Sequence, residues 1–251
     1  LADAEMQRIA AWTNLSETTF VLPPGTPDAD YRLRIFTPRA ELPFAGHPTI
    51  GSAHAVVEAG IVRPRAGRMK QECGAGILEL RIEDSGRLWL KAPPASANAF
   101  PRERLGDLER ALGAPLGEAP MIVDVGPVWV VSDLQSARTV DRLVPDFAAI
   151  GRLTDKLGAT GVTVFGADSA EAGMHVRSFA PAHGIPEDPV CGSGNVSVAA
   201  FLARSGRLAR SGGTYHARQG MQLGRDGLVS IRVAADDIFL GGHSVTCVEG
   251  T

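Results

Sequence analysis

Apolar and polar side chains alternate cleanly along Tyr31–Phe36 (YRLRIF), and this period of two predicts a half-buried strand. Thr18–Leu22 (TTFVL) reads as a second strand, stopped by Pro23, Pro24 and Gly25. Gly76–Ile82 and residues 87–91 predict a hairpin around the EDSG turn at 83–86. Further strands are expected at 121–125 and 128–132, on either side of Gly126-Pro127, and at 162–165 and 174–179. From 214 to 248 strands and turns alternate. The helical period appears at 3–12, with Met6, Ile9 and Ala10 on one face, at 102–112, which Gly113 ends, and at 146–157. The Pro- and Ala-rich stretch 91–103 (KAPPASANAFPRE) reads as a linker.

Two segments fit neither period, and they match each other. ELPFAGH (41–47) and EDPVCGS (187–193) share an acid, a Pro, an apolar residue, a small residue and a Gly in register, the second lying 146 residues after the first (Glu41 to Glu187). RIFTP (34–38) and RSFAP (177–181) precede them; PTIGSAHAVVEAG (48–60) and GNVSVAAFLARSG (194–206) follow. The following stretches are small or apolar nearly all round. A helix of that kind has no polar face for water and must be wrapped by other elements. The expected fold is therefore α+β, with two pseudo-symmetric halves, each a mostly antiparallel sheet curled around one central helix. The first half spans residues 1–95, with 240–251 returning to it as a closing strand; the second spans 96–239.

Each central helix should begin just after the turn, at Gly46 or Gly192. The first N–H groups of a helix lack partners within it and carry partial positive charge. Glycine lets a ligand approach the backbone. Two such ends facing one cleft suit a small carboxylate; otherwise the turns are only tight connections. Features present in both copies read as scaffold: Pro43 and Pro189 shape the helix entry, and Glu41 and Glu187 are expected to bind backbone N–H groups of the turn. The changed positions carry the asymmetry a reaction needs: Leu42 becomes Asp188, Ala45 becomes Cys191, and His47 becomes Ser193.

Composition narrows the classes. A net charge of −3 with no basic run argues against nucleic acid and anionic membranes. No apolar run approaches the ~20 residues that span a bilayer. Three cysteines without close spacing, and six histidines without HExxH, suggest neither a disulfide framework nor a metal site, and the cysteine usage fits a reduced, cytoplasmic setting. Cys73, in ECGAG, mimics the repeat but precedes a strand.

Three segments, MQRIAAWTNLSETTFVL (6–22), RIFTPRAELPFAGHPTIGSA (34–53) and FAPAHGIPEDPVCGSGN (179–195), resemble the phenazine-biosynthesis PhzF-like family of the diaminopimelate epimerase-like superfamily. The resemblance implies two pseudo-symmetric domains with a cleft between them, no cofactor, and commonly a homodimer. It also implies an opening strand with a GNP-type turn ahead of Leu1. It places the proton-shuttling acid on Glu17, which the residues alone would leave as a solvated loop acid. It puts further site residues on His47, Asp188 and Ser193, the last as a donor to substrate. Cys191 departs from many relatives. CGSGN is closer to the CGTG turn of the epimerases, where Cys is one of two bases, yet the partner cysteine would fall on Ala45. A thiol at a helix N-terminus has a lowered pKa; the alternative is a small buried side chain.

Three functions remain open. The first is a cofactor-independent isomerase of a small carboxylic acid, with Glu17, His47 and Asp188 catalytic and Gly46, Gly192, Ser193 and Cys191 binding substrate. The second is an epimerase or racemase using Glu17 and Cys191. The third is a non-catalytic binder of small carboxylates.

Overall fold

The stretch RMKQEC carries three charges in six residues and no apolar run, yet in the computed structural model it is a strand, Arg68–Cys73. Met69, Gln71 and Cys73 point inward and their neighbours outward. Gln71 is fully buried and paired at both ends: the Tyr31 hydroxyl donates to its Oε1 at 2.8 Å, and its Nε2 donates to Thr49 Oγ1 at 3.2 Å. A buried amide satisfied in this way costs little, and it ties the strand to the helix that carries Thr49.

The structure describes residues 1–168, 173–208 and 213–250. The chain divides into two compact units, Leu1–Lys91 with Gly241–Thr251, and Ala92–Leu240. The first contains α1 (Asp3–Thr13), β1 (Thr18–Leu22), β2 (Tyr31–Phe36), β3 (Glu41–Leu42), α2 (Gly46–Glu58), β4 (Arg68–Cys73), β5 (Gly76–Ile82) and β6 (Leu88–Lys91). The sheet order is β1-β2-β4-β5-β6, with β3 beside β2. The β2–β4 pairing is parallel and the others are antiparallel. On one face Tyr31, Leu33 and Ile35 pack with Ile50, Ala53 and Val56 of α2. On the other, Phe36 joins Met6 and Ala10 of α1.

The second unit contains β7 (Ser96–Ala99), α3 (Leu105–Leu112), β8 (Met121–Asp124), β9 (Val128–Ser136), α4 (Ala137–Asp141), α5 (Phe147–Leu157), β10 (Gly161–Asp168), β11 (Gly173–Ala180), β12 (Ile185–Asp188), α6 (Gly192–Arg204), β13 (Thr214–Gln219) and β14 (Gly227–Ala234). It ends in β15 (Asp237–Gly242), which lies beside β14 and from Gly241 is counted with the first unit. The order is β14-β13-β11-β10-β9-β8-β7, with β12 beside β11. The element series α1-β1-β2-β3-α2-β4-β5-β6 thus recurs as α5-β10-β11-β12-α6-β13-β14-β15, and the parallel pair β2–β4 recurs as β11–β13. Both central helices have 13 residues.

Three expectations change. The stretch 91–103 is not only a linker, because Ser96–Ala99 pairs with β8 as an edge strand. Edge pairing uses backbone groups, so these mostly exposed side chains leave no apolar pattern to read. The helix expected at 102–112 begins as a single 3-10 turn, Arg102–Arg104, before α3. Complete wrapping holds for α6, buried from Gly192 to Leu202 apart from Ser193, but not for α2, where Ala55 and Glu58 are exposed.

The start of α6 is seated at Gly194. A Cβ there would lie 2.5 Å from Ser178 Oγ and 2.9 Å from Thr163 Oγ1, two hydroxyls that bond each other at 3.0 Å in the core. Gly194→Ala is therefore expected to cost about 1–3 kcal/mol of stability through overpacking, read from the midpoint of denaturant unfolding.

Candidate active site

Helix α1 ends at Asn14, whose left-handed conformation (φ 52°) turns the chain back, and Ser16 and Glu17 lead into β1. That turn buries the Glu17 side chain to 12% exposure and sets it against the second residue of α2, with His47 Nε2 3.1 Å from Glu17 Oε2. Oε2 is buried and makes no well-aligned hydrogen bond, so it stands within reach of the imidazole without being locked to it. Burial pushes the Glu17 carboxyl up, but His47 and Ser16 together hold it below its ordinary range. Glu17 is thus a carboxylate at neutral pH, enclosed and with a lone pair uncommitted: the state a proton acceptor needs. The expectation of a solvated loop acid, drawn from the residues alone, fails because the local sequence does not show the burial.

Gly46 opens α2, with Ala45 as its N-cap and no side chain capping the helix. The third helical residue is Pro48, which has no N–H to cap. In the second unit the third residue is Gly194, and there Cys191 is the cap, its Sγ accepting the Gly194 N–H at 3.3 Å. The exchange of Ala45 for Cys191 follows from this difference. Cys191 is buried, and burial, followed by the nearby Asp188 charge, pushes the thiol well above its usual range. The lowering expected of a thiol at a helix N-terminus does not occur, because desolvation outweighs the helix end. Cys73 is buried as well, whereas Cys247 is exposed. Iodoacetamide on the native protein at about pH 8 should therefore alkylate Cys247 alone; peptide mass mapping that finds rapid modification of Cys191 would contradict this.

Asp188 stands at the end of β12 and accepts the Val190 N–H on Oδ1 at 2.9 Å, closing the turn into α6. Gln219 pins that turn: its Nε2 donates to the Asp188 carbonyl at 2.9 Å, and its Oε1 accepts from Cys191 N at 3.2 Å and Asn195 Nδ2 at 2.8 Å. Ser193, second in α6, accepts the indole N–H of Trp129 at 3.0 Å and lies 3.6 Å from Cys191 Sγ. Sequence reasoning missed Gln219, Asn195 and Trp129. Asn195 left one signal, a polar side chain on a helix with no polar face.

The repeated glutamates do not bind backbone N–H groups. Each takes the arginine at the start of its own repeat: Arg34 Nε and Nη2 meet Glu41 at 2.8 and 2.7 Å, and Arg177 Nε and Nη2 meet Glu187 at 2.9 and 2.7 Å. Both guanidinium groups stand 5.1 Å from a phenylalanine ring, Phe36 or Phe179. A bidentate fork satisfies both carboxylate oxygens at once, which single backbone amides would not. The Arg177–Glu187 pair is the buried one, 4% and 5% exposed.

The candidates therefore gather in two groups. Glu17, His47 and Gly46 lie together in the first unit; Asp188, Cys191, Gly192 and Ser193 lie together in the second. Among the described residues no cluster of three His, Cys, Asp or Glu side chains is placed to hold a metal ion, and no helix is long and apolar enough to cross a membrane.

The sequence profile of the family described as "Phenazine biosynthesis-like protein" (PhzC-PhzF) matches residues 1–250. Antisense-enhancing sequence 1 of Schizosaccharomyces pombe is 41% identical over 264 residues, covering 100% of this chain and 88% of that protein. Trans-2,3-dihydro-3-hydroxyanthranilate isomerase of Pseudomonas fluorescens is 33% identical, covering 100% of this chain and 89% of that one. Among solved structures, a phenazine biosynthesis protein of the PhzF family from Enterococcus faecalis superposes with a TM-score of 0.80 at 28% identity, over 97% of this chain and 85% of the other.

Proposed function

The chain belongs to the phenazine biosynthesis-like family, and on that premise we propose that it is an isomerase of a small unsaturated carboxylic acid, moving a hydrogen between two carbons by acid/base chemistry. The observation that carries the reading is Glu17, enclosed, held ionised, and 3.1 Å from His47. Its carboxylate takes a proton from a carbon flanked by unsaturation. That C–H bond breaks and its electron pair enters the conjugated system, so the double bond moves. The proton, now on Glu17 or passed to His47, is delivered to a second carbon, and the product has the formula of the substrate.

The remaining groups answer the charge that develops. Each unit offers donors suited to a carboxylate or a delocalised anion: the N–H groups that open α2 at Gly46 in the first, and those that open α6 at Gly192, with the Ser193 hydroxyl, in the second. Asp188 orients the substrate. Positioned proton transfer supplies roughly a hundred- to ten-thousand-fold, which leaves the rest of the acceleration to these electrostatic ends. The epimerase alternative with Cys191 as second base is disfavoured by the burial that keeps the thiol protonated. A homodimer and a cytoplasmic setting belong to the same proposal; light scattering on the purified chain tests the first.

Several relatives bear the name trans-2,3-dihydro-3-hydroxyanthranilate isomerase, so that acid heads a panel of small unsaturated carboxylates. Incubation with the protein, followed by NMR, is expected to yield an isomer of unchanged mass from at least one member. No isomer from any of them would contradict the proposal and favour a non-catalytic binder.

A further inference from the structure

We infer that Trp129 is a positioning residue that fixes the Ser193 hydroxyl as a hydrogen-bond donor, making the start of α6 a subsite for a carboxylate rather than its uncharged amide. The inference rests on the proposed carboxylate substrate and goes beyond it by naming what sets the preference.

Trp129 lies in β9, 3% exposed, on the face turned toward α6, with Val131 on the same side and Val130 on the other. Its place is made by a glycine: Gly161 is its register partner on β10, and a Cβ there would come within 2.6 Å of the Trp129 ring and 2.2 Å of the Phe179 carbonyl oxygen. In this apolar setting the indole N–H needs an acceptor, and it finds Ser193 Oγ at 3.0 Å.

An indole N–H donates and never accepts. One lone pair of Ser193 Oγ is therefore committed, and the hydroxyl proton turns away from the ring. Within the second unit it can point toward Cys191 Sγ, 3.6 Å away, or toward a ligand at the helix end. Sulfur is the weaker acceptor, so an arriving oxygen anion captures the proton. The adjoining helix N–H groups also only donate. A carboxylate presents acceptors to all of these groups, whereas a carboxamide brings an NH₂ that this end cannot receive.

The test measures calorimetric binding of 3-hydroxyanthranilate and of its carboxamide to the full chain, to Trp129→Phe, to Ser193→Ala and to the double variant. The wild type is expected to prefer the carboxylate by on the order of tenfold, and each single variant to lose about that factor for the carboxylate alone. The double variant should lose no more than Ser193→Ala, since Trp129 acts through Ser193, and Ser193→Thr, which keeps the hydroxyl, should keep the preference. The chain has three tryptophans; in ¹⁵N-indole spectra Ser193→Ala should move the Trp129 signal and leave those of Trp12 and Trp89, which also checks folding. Losses that add in the double variant, losses that fall equally on both ligands, or a wild type that binds both alike or neither, overturn the inference. Glu17-dependent isomerisation with a carboxylate preference indifferent to Trp129→Phe removes the inference and leaves the reaction. Absence of any isomerisation, with the preference and its coupling intact, does the reverse.

Discussion

Replacing Glu17 by Gln is expected to lower kcat by roughly a hundred- to ten-thousand-fold, the range of positioned acid/base catalysis, with substrate affinity changed little. Gln keeps the shape and a carbonyl acceptor toward His47 but cannot take a proton from carbon. Glu17→Asp should fall between, since the carboxylate remains but its reach shortens. The pH dependence follows from the same geometry. His47 and Ser16 hold the Glu17 carboxyl below its ordinary range against the opposing effect of burial. The base form is therefore present through neutral pH and is lost only as pH falls through that depressed value. The acidic limb of kcat/KM should lie below the usual carboxylate range; a limb near neutrality would show that another group is the base. A Glu17→Gln variant with close to wild-type kcat would remove Glu17 from the chemistry.

The largest expected effect on stability is at Arg177. Its guanidinium forks onto Glu187 and also donates to the carbonyls of Val140 and Leu143, at 3.2 and 2.8 Å, the last two residues lying on and just beyond α4. With side chains 4% and 5% exposed, neither charge has water to turn to. Arg177→Met leaves Glu187 buried and unpaired, a loss of about 3–5 kcal/mol, which for a chain of this size lowers Tm by roughly 6–20 °C. The repeat supplies its own control. Arg34 makes the same fork with Glu41, but that carboxylate is 42% exposed, so Arg34→Met should cost only a small fraction as much. Pairing Arg177→Met with Glu187→Leu should recover much of the loss. Equal melting shifts at Arg34 and Arg177 would show that burial does not set the difference.

What could be read from the chain beforehand was whatever leaves a local mark. The alternation of Tyr31–Phe36 and the recurrence of the acid–Pro–Gly turn ahead of an apolar stretch gave β2, α2, α6 and the duplication, because period and repeat are local properties. β4 was hidden because its inward Gln71 is satisfied by Tyr31 and Thr49, each distant in sequence. β7 was hidden because an edge strand needs only backbone groups. The site divides in the same way. His47 and Ser193 are visible as departures within the repeat, while the burial of Glu17 depends on how α1 ends and leaves no local mark; only the family resemblance points to that residue. The partners of Glu41 and Glu187 are not legible although the arginines stand in the same repeat, because a fork across antiparallel neighbours becomes visible only once β3 lies on β2 and β12 on β11. Trp129 and Gln219 left no local mark; their roles depend on residues 64 and 28 positions away.

The central claim, that Glu17 carries a hydrogen to and from carbon, is tested most directly by running the isomerisation in heavy water and locating label by mass spectrometry and NMR. The account predicts carbon-bound deuterium in the product or in recovered substrate with the wild-type protein, and uptake slowed by the same roughly hundred- to ten-thousand-fold with Glu17→Gln. Uptake by Glu17→Gln at the wild-type rate would contradict it.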